Sequence, residues 1–268
     1  MSSTIPNGRR WWALLVLCLG VMMVFVNVSS TISALSPLQD ALHLSASTTV
    51  WVSSAFSLAL VSLVLSASTL SDILGRRRTL LSGVTLFTIG SVIAFLAGNA
   101  GLLIAAQALM GVGAAAVLPS SLAIVSHTFT DPHERTGAIS AWASCAGLGL
   151  AVGPLVAGVL LDRVSWHAVF LTNVVIGVLA LILTPLLVTE SKHPTRRFDP
   201  AGVVLGTLAV ASATYAIIEG GSTGYGRPSS SPRTSSSSSR WRPSCGSNSA
   251  RTTPCCNCGC SRTARSRW

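Results

Sequence analysis

Charge is what this chain has least of. Only 10% of its 268 residues are Asp, Glu, Lys or Arg, against about a quarter in an ordinary soluble domain. The eight acids all lie outside or at the margin of its long apolar blocks. An intramembrane enzyme would need clustered carboxylates, histidines or a Ser–Lys pair inside those blocks, so no enzymatic activity and no catalytic residue is assigned. Cysteine is sparse before residue 245. Cys18 and Cys145 lie within apolar blocks, and Cys245, Cys255, Cys256, Cys258 and Cys260 follow in the tail. No disulfide framework is implied for the apolar part. The tail cluster departs from standard zinc spacing, so no metal is assigned. Basic charge is also missing from most of the chain. Residues 1–226 net +2, whereas the last 42 carry +8 and no acid. The net charge of +10 therefore does not point to a nucleic-acid partner.

What the chain does have is apolar blocks long enough to cross a bilayer core, about 20 residues at 1.5 Å each. Seven spans are predicted, at about 12–36, 50–70, 80–98, 102–126, 137–161, 168–189 and 201–219. The first runs on without a small-residue cleavage site and is read as a span rather than a signal peptide. Arg9, Arg10, Arg76, Arg77, Arg78, Arg135, Lys192, Arg196 and Arg197 fall on one side of this layout, and only Arg163 on the other. The positive-inside rule then places the N-terminus in the cytoplasm of a multi-pass cell-membrane protein. Trp11, Trp12, Trp51 and Trp166 sit at span ends, where an indole can bury its ring and hydrate its N–H. The spans are rich in Gly, Ala and Ser, which let helix backbones approach closely in lipid. Leu70-x-Asp72-x-x-Gly75-x-Arg77 after span 2 is echoed by Leu160-x-Asp162-x-x-Ser165-x-His167 after span 5, on the opposite side. An inverted three-plus-three repeat would place them so.

Several stretches carry a family resemblance. Leu70-Ser71-Asp72-Ile73-Leu74-Gly75-Arg76-Arg77-Arg78 resembles the cytoplasmic loop motif G-x-L-a-D-r-x-G-r-r of the major facilitator superfamily. Glycine there permits a tight turn. The aspartate can pair with loop arginines or cap a helix, and arginines can anchor at an anionic leaflet. The plainer reading is a charged turn obeying the positive-inside rule. Gly149-x-x-x-Gly153-Pro154-x-x-Ala157-Gly158 resembles the family's antiporter motif G-x-x-x-G-P-x-x-G-G, which is associated with exporters. Ala106 to Ala115, His133-Glu134-Arg135 with Trp142, and Trp166 to Asn173 resemble further family signatures in spans 4, 5 and 6. A seventh span directly after Phe198-Asp199-x-x-Gly202 resembles the fourteen-helix drug:proton antiporter branch. The resemblance covers about residues 10–225.

Two departures stand out. The branch carries an Asp in span 1 and an Arg in span 4, whereas this chain has Asn27 and Gln107. Losing both charges avoids the several kcal/mol cost of a lone buried ion. An Asn27–Gln107 contact would retain about 1 kcal/mol of hydrogen bonding. An amide carries no proton near neutral pH, so a titrating carrier must lie outside these spans. Asn27, Gln107, Ser53, Phe56 and Trp142 either face a central cavity and touch substrate or serve ordinary helix packing.

From residue 226 the composition turns to Ser, Arg, Pro and Cys. Such a segment cannot bury a core and is expected to be disordered. Residues 245–268, back-translated with GC-rich codons, read in another frame as a segment resembling the one before the family's second half. A frameshift product is therefore expected. The expected fold is an all-α membrane protein, with the six-helix N-terminal half of a major facilitator fold in 1–189. A linker and extra transmembrane helix would occupy 190–225, and the tail 226–268. The resemblance implies multidrug-type export of small amphipathic, often cationic, molecules by alternating access. The proton gradient would drive it, without a cofactor, in partnership with a missing C-terminal half. This chain alone would not complete a cycle. The alternative is a non-transporting membrane module, a sensor or assembly partner that keeps the half-fold.

Overall fold

The computed structural model describes residues 7–188 together with 208–210, 212 and 216. Six helices follow in order: α1 (Asn7–Leu42), α2 (Ala46–Leu74), α3 (Arg76–Phe95), α4 (Ala100–Thr128), α5 (Pro132–Arg163) and α6 (Trp166–Leu187). All six are long and apolar enough to cross a membrane. The expected seventh span and the tail lie outside the described residues, apart from isolated helical positions in 208–216.

The helices begin where polar side chains satisfy free N–H groups. Ser45 accepts from the Thr48 N–H, Asn99 from Leu102, and Asp131 from His133 and Glu134. Each supplies one of the acceptors a helix start lacks. All six helices begin before the expected spans, and α1, α2, α4 and α5 also run past their ends, because polar turns at the membrane margin continue the same hydrogen-bond ladder. At its C-terminal end α3 instead stops at Phe95 rather than 98. Leu96 and Ala97 are apolar enough to read as membrane, but Gly98 is not helical and Asn99 already serves as the cap of α4. α6 likewise ends at Leu187, two residues early.

α1 and α4 are the inner helices, and α2 and α5 are the least buried. α4 packs between α2 and α3, while α1 packs between α5 and α6. α3 meets α6, and α1 meets α4. Exchanging α1 with α4, α2 with α5 and α3 with α6 swaps the α2–α4 and α1–α5 contacts and the α3–α4 and α1–α6 contacts, and leaves α1–α4 and α3–α6 in place. The packing thus carries the symmetry of two three-helix repeats, as the echoed motifs imply. Outward faces carry exposed Leu65, Leu155, Val175 and Leu186. Such a continuous apolar exterior suits lipid.

Small residues set the closest crossings. A Cβ on Gly113 would lie 2.6 Å from the Gly83 carbonyl of α3, and one on Gly111 would strike the Phe56 carbonyl of α2. The Gly-Val-Gly run of span 4 therefore serves two interfaces at once. Hydrophobic drive between helices is weak in lipid, so van der Waals contact at such crossings holds them together.

Candidate functional site

Four of the five residues singled out as cavity candidates come together. Asn27 of α1, Ser53 and Phe56 of α2, and Gln107 of α4 line one cavity of about 310 Å³. Thr31 and Ile32 of α1 and Ser54 and Ser57 of α2 complete much of its wall. The fifth candidate, Trp142, does not line it: its indole Nε1 donates to Ser121 Oγ at 3.1 Å, tying α5 to α4. An amphipathic ring near a span end is better satisfied by that hydroxyl than by an open cavity.

Behind the cavity runs a ladder of uncharged polar groups. Asn173 Nδ2 donates to Asn27 Oδ1 at 2.9 Å. Asn27 Nδ2 donates to Gln107 Oε1 at 3.4 Å, and Gln107 Nε2 donates to Thr31 Oγ1 at 3.1 Å. Asn27, Gln107 and Asn173 are 1%, 0% and 0% exposed, so each amide depends on these partners for its hydrogen bonds. The ladder joins α6, α1 and α4. The contact suggested by the paired loss of charge is therefore present, and it is longer than a pair. Asn173 and Thr31 were not picked out from the sequence as site residues. Asn173 was visible as a lone amide in an apolar run. Thr31 had only its place one turn after Asn27, and Ser53, Ser54 and Ser57 had their helical spacing on α2.

The loop motif forms the α2–α3 junction. Gly75 has φ 108° and ψ 133°, a conformation in which a Cβ is strained. It closes α2 and opens α3 in a single residue. Asp72 Oδ1 pairs with Arg76 Nη2 at 3.3 Å, and Arg76 Nη1 donates to the Ala123 carbonyl of α4 at 3.1 Å. Arg77 Nη2 donates to the Pro185 carbonyl of α6 at 2.8 Å. Arg76 and Arg77 thus reach helix carbonyls, and Arg78 is exposed. The last carbonyls of α6 lack intrahelical partners and carry the negative end of the helix dipole, which favours a cation there.

The antiporter motif divides by face. Gly149, Gly153 and Ala157 are buried against α1, whereas Pro154 is exposed and α5 runs on unbroken through it. A Cβ on Gly149 would lie 2.9 Å from the Met22 carbonyl, and one on Gly153 would collide with Ser29 Oγ. Ser29 Oγ also bonds to the Gly149 carbonyl at 3.3 Å. Ser29 therefore faces α5 and not the cavity. Gly158 has nothing within 4 Å of its Cβ position.

The Major Facilitator Superfamily profile matches residues 17–244. The chain belongs to that superfamily. Among relatives of this major facilitator chain, multidrug resistance protein Stp of Mycobacterium tuberculosis is 38% identical over 82% of this chain and 41% of that protein. Multidrug efflux pump LfrA of Mycolicibacterium smegmatis is 39% identical over 81% of this chain and 43% of that protein. The chain spans about two-fifths of the length of these curated relatives. A crystal structure of the peptide transporter POT in complex with sulfate matches with a TM-score of 0.62 at 18% identity, covering 78% of this chain and 46% of that one. At that identity the likeness shows the fold: the six helices form a six-helix half of a major facilitator transporter, and the protein is a multi-pass membrane protein.

Proposed function

We propose that this chain forms one substrate-binding half of an exporter of small amphipathic molecules. It would sit in the cell membrane with its N-terminus in the cytoplasm. The carrying observation is the cavity, in which polar side chains of α1, α2 and α4 face a volume suited to a small molecule. The relatives named for multidrug resistance and efflux support that reading. Alternating access needs two bundles rocking about a shared site, so a second six-helix half is required and this unit does not complete a cycle alone. Proton antiport would drive the whole transporter. The proton carrier then lies outside this half, because neutral amides occupy the positions where the branch holds charges. Residues 190–225 would link the halves through an extra membrane helix.

The test uses the 268-residue chain reconstituted in lipid vesicles with two fluorescent dyes, uncharged Nile red and cationic ethidium. Saturable, displaceable binding of either dye is expected, with no accumulation when a pH gradient is imposed. Gradient-driven accumulation by this chain alone would overturn the half-transporter reading. Absence of saturable binding of both dyes would leave the non-transporting membrane module.

A further inference from the structure

We propose that this cavity selects uncharged amphipathic ligands bearing a hydrogen-bond acceptor, such as a carbonyl, ether or phosphoryl oxygen, over organic cations. The inference rests on reading the cavity as the substrate site, and it names the ligand class that site takes.

The first support is charge. None of the nine lining residues is ionisable. An organic cation entering this wall would give up hydration and meet no anion, and a buried charge without a partner is costly. A ligand with no formal charge avoids that loss.

The second support is a pair of unused donors. In the ladder Asn173 donates to Asn27, Asn27 to Gln107, and Gln107 to Thr31. A side-chain amide has two N–H donors and an oxygen with two lone pairs. Asn27 and Gln107 each use one N–H in the ladder and have a second, and both residues line the cavity. That N–H can bind an acceptor oxygen, whereas the lone pair left on a neutral amide is a weaker partner for a cation than a carboxylate. Burial of the ladder holds these groups in place.

The third support is the apolar complement. Phe56 contacts Phe87 edge-on at 6.4 Å between ring centroids, which fixes its ring. With Val28 and Ile32 it gives the wall an apolar part beside the donors. That combination matches a molecule with an apolar body and one polar oxygen.

The experiment compares two probes of similar aromatic bulk on the full 268-residue chain in nanodiscs of zwitterionic lipid, with empty nanodiscs subtracted. Triphenylphosphine oxide is uncharged and carries one strong acceptor. Tetraphenylphosphonium is a permanent cation without one. The oxide is expected to bind saturably at least about ten-fold tighter than the phosphonium. Asn27→Asp replaces a donor by a carboxylate, and Ser53→Asp adds a carboxylate on α2 without touching the ladder. Each variant is expected to move the ratio at least about ten-fold toward the cation. If Asn27→Asp does not survive purification, Ser53→Asp gives the same readout. Equal affinities, or a wild-type preference for the phosphonium, would overturn the proposal and leave the cavity reading intact. An unchanged ratio in the folded variants would overturn it too, by placing the probe elsewhere. If neither probe binds saturably, both the ligand class and the cavity reading fall.

Discussion

Gly153→Ala should destabilise the bundle, while Gly158→Ala, five residues along the same motif, should not. The added Cβ at 153 falls on Ser29 Oγ, 3.0 Å from Ser29 Cβ and 3.1 Å from the Ser30 nitrogen. The hydroxyl can turn aside only by giving up its bonds to the Phe25 carbonyl at 2.9 Å and the Gly149 carbonyl at 3.3 Å. The Cβ and the backbone nitrogen cannot yield without moving α1. Overpacking of this kind costs about 1–3 kcal/mol, partly offset by about 1 kcal/mol from replacing a helical glycine with alanine. At 158 only the favourable part remains, because nothing lies within 4 Å. The two variants should therefore differ by about 2 kcal/mol, or roughly 4–8 °C in Tm for a chain of this size. Thermal unfolding in detergent, followed by tryptophan fluorescence, measures this. Ser29→Ala alone should cost about 0.6 kcal/mol for its interhelical bond. In the Gly153→Ala background it should be better tolerated, with a coupling of about 1 kcal/mol. Equal Tm values for Gly153→Ala and Gly158→Ala would refute the close α1–α5 crossing.

The ladder makes a second expectation. Asn27→Ala strands Asn173 Nδ2 and Gln107 Oε1, and Gln107→Ala strands groups on Asn27 and Thr31, so each should cost about 1–3 kcal/mol. A double-mutant cycle should show coupling of at least about 0.5 kcal/mol, and strict additivity would mean that the two amides do not act as a pair. At the α2–α3 junction, Gly75→Ala forces a side chain into a glycine-only conformation and should lose about 1–3 kcal/mol. Unfolding indistinguishable from wild type would show that the turn relaxes freely.

Much of the fold was legible without coordinates because lipid imposes one simple rule. Backbone polar groups must be satisfied within each segment, so a long uncharged block becomes a helix. Apolar blocks therefore announced the six described helices, with errors confined to ends such as Leu96, where apolar residues form the turn. Asn27 and Gln107 were conspicuous as amides in place of charges. Asn173 and Thr31 were harder to pick out, since a neutral polar residue in a membrane helix looks the same whether it bonds its own turn or another helix.

The six helices of residues 7–188, and the loop arginines whose asymmetry argues for orientation, were determined by the sequence alone, for they depend on local composition and hydration. Which faces meet was decided only in three dimensions. Gly153 and Gly158 share one motif and Ser53 and Trp142 one set of candidates, yet helix rotation presses Gly153 against α1 and not Gly158, and turns Ser53 to the cavity but Trp142 to Ser121 of α4. That rotation follows from packing summed over all the neighbours of a helix, which no single stretch of residues encodes.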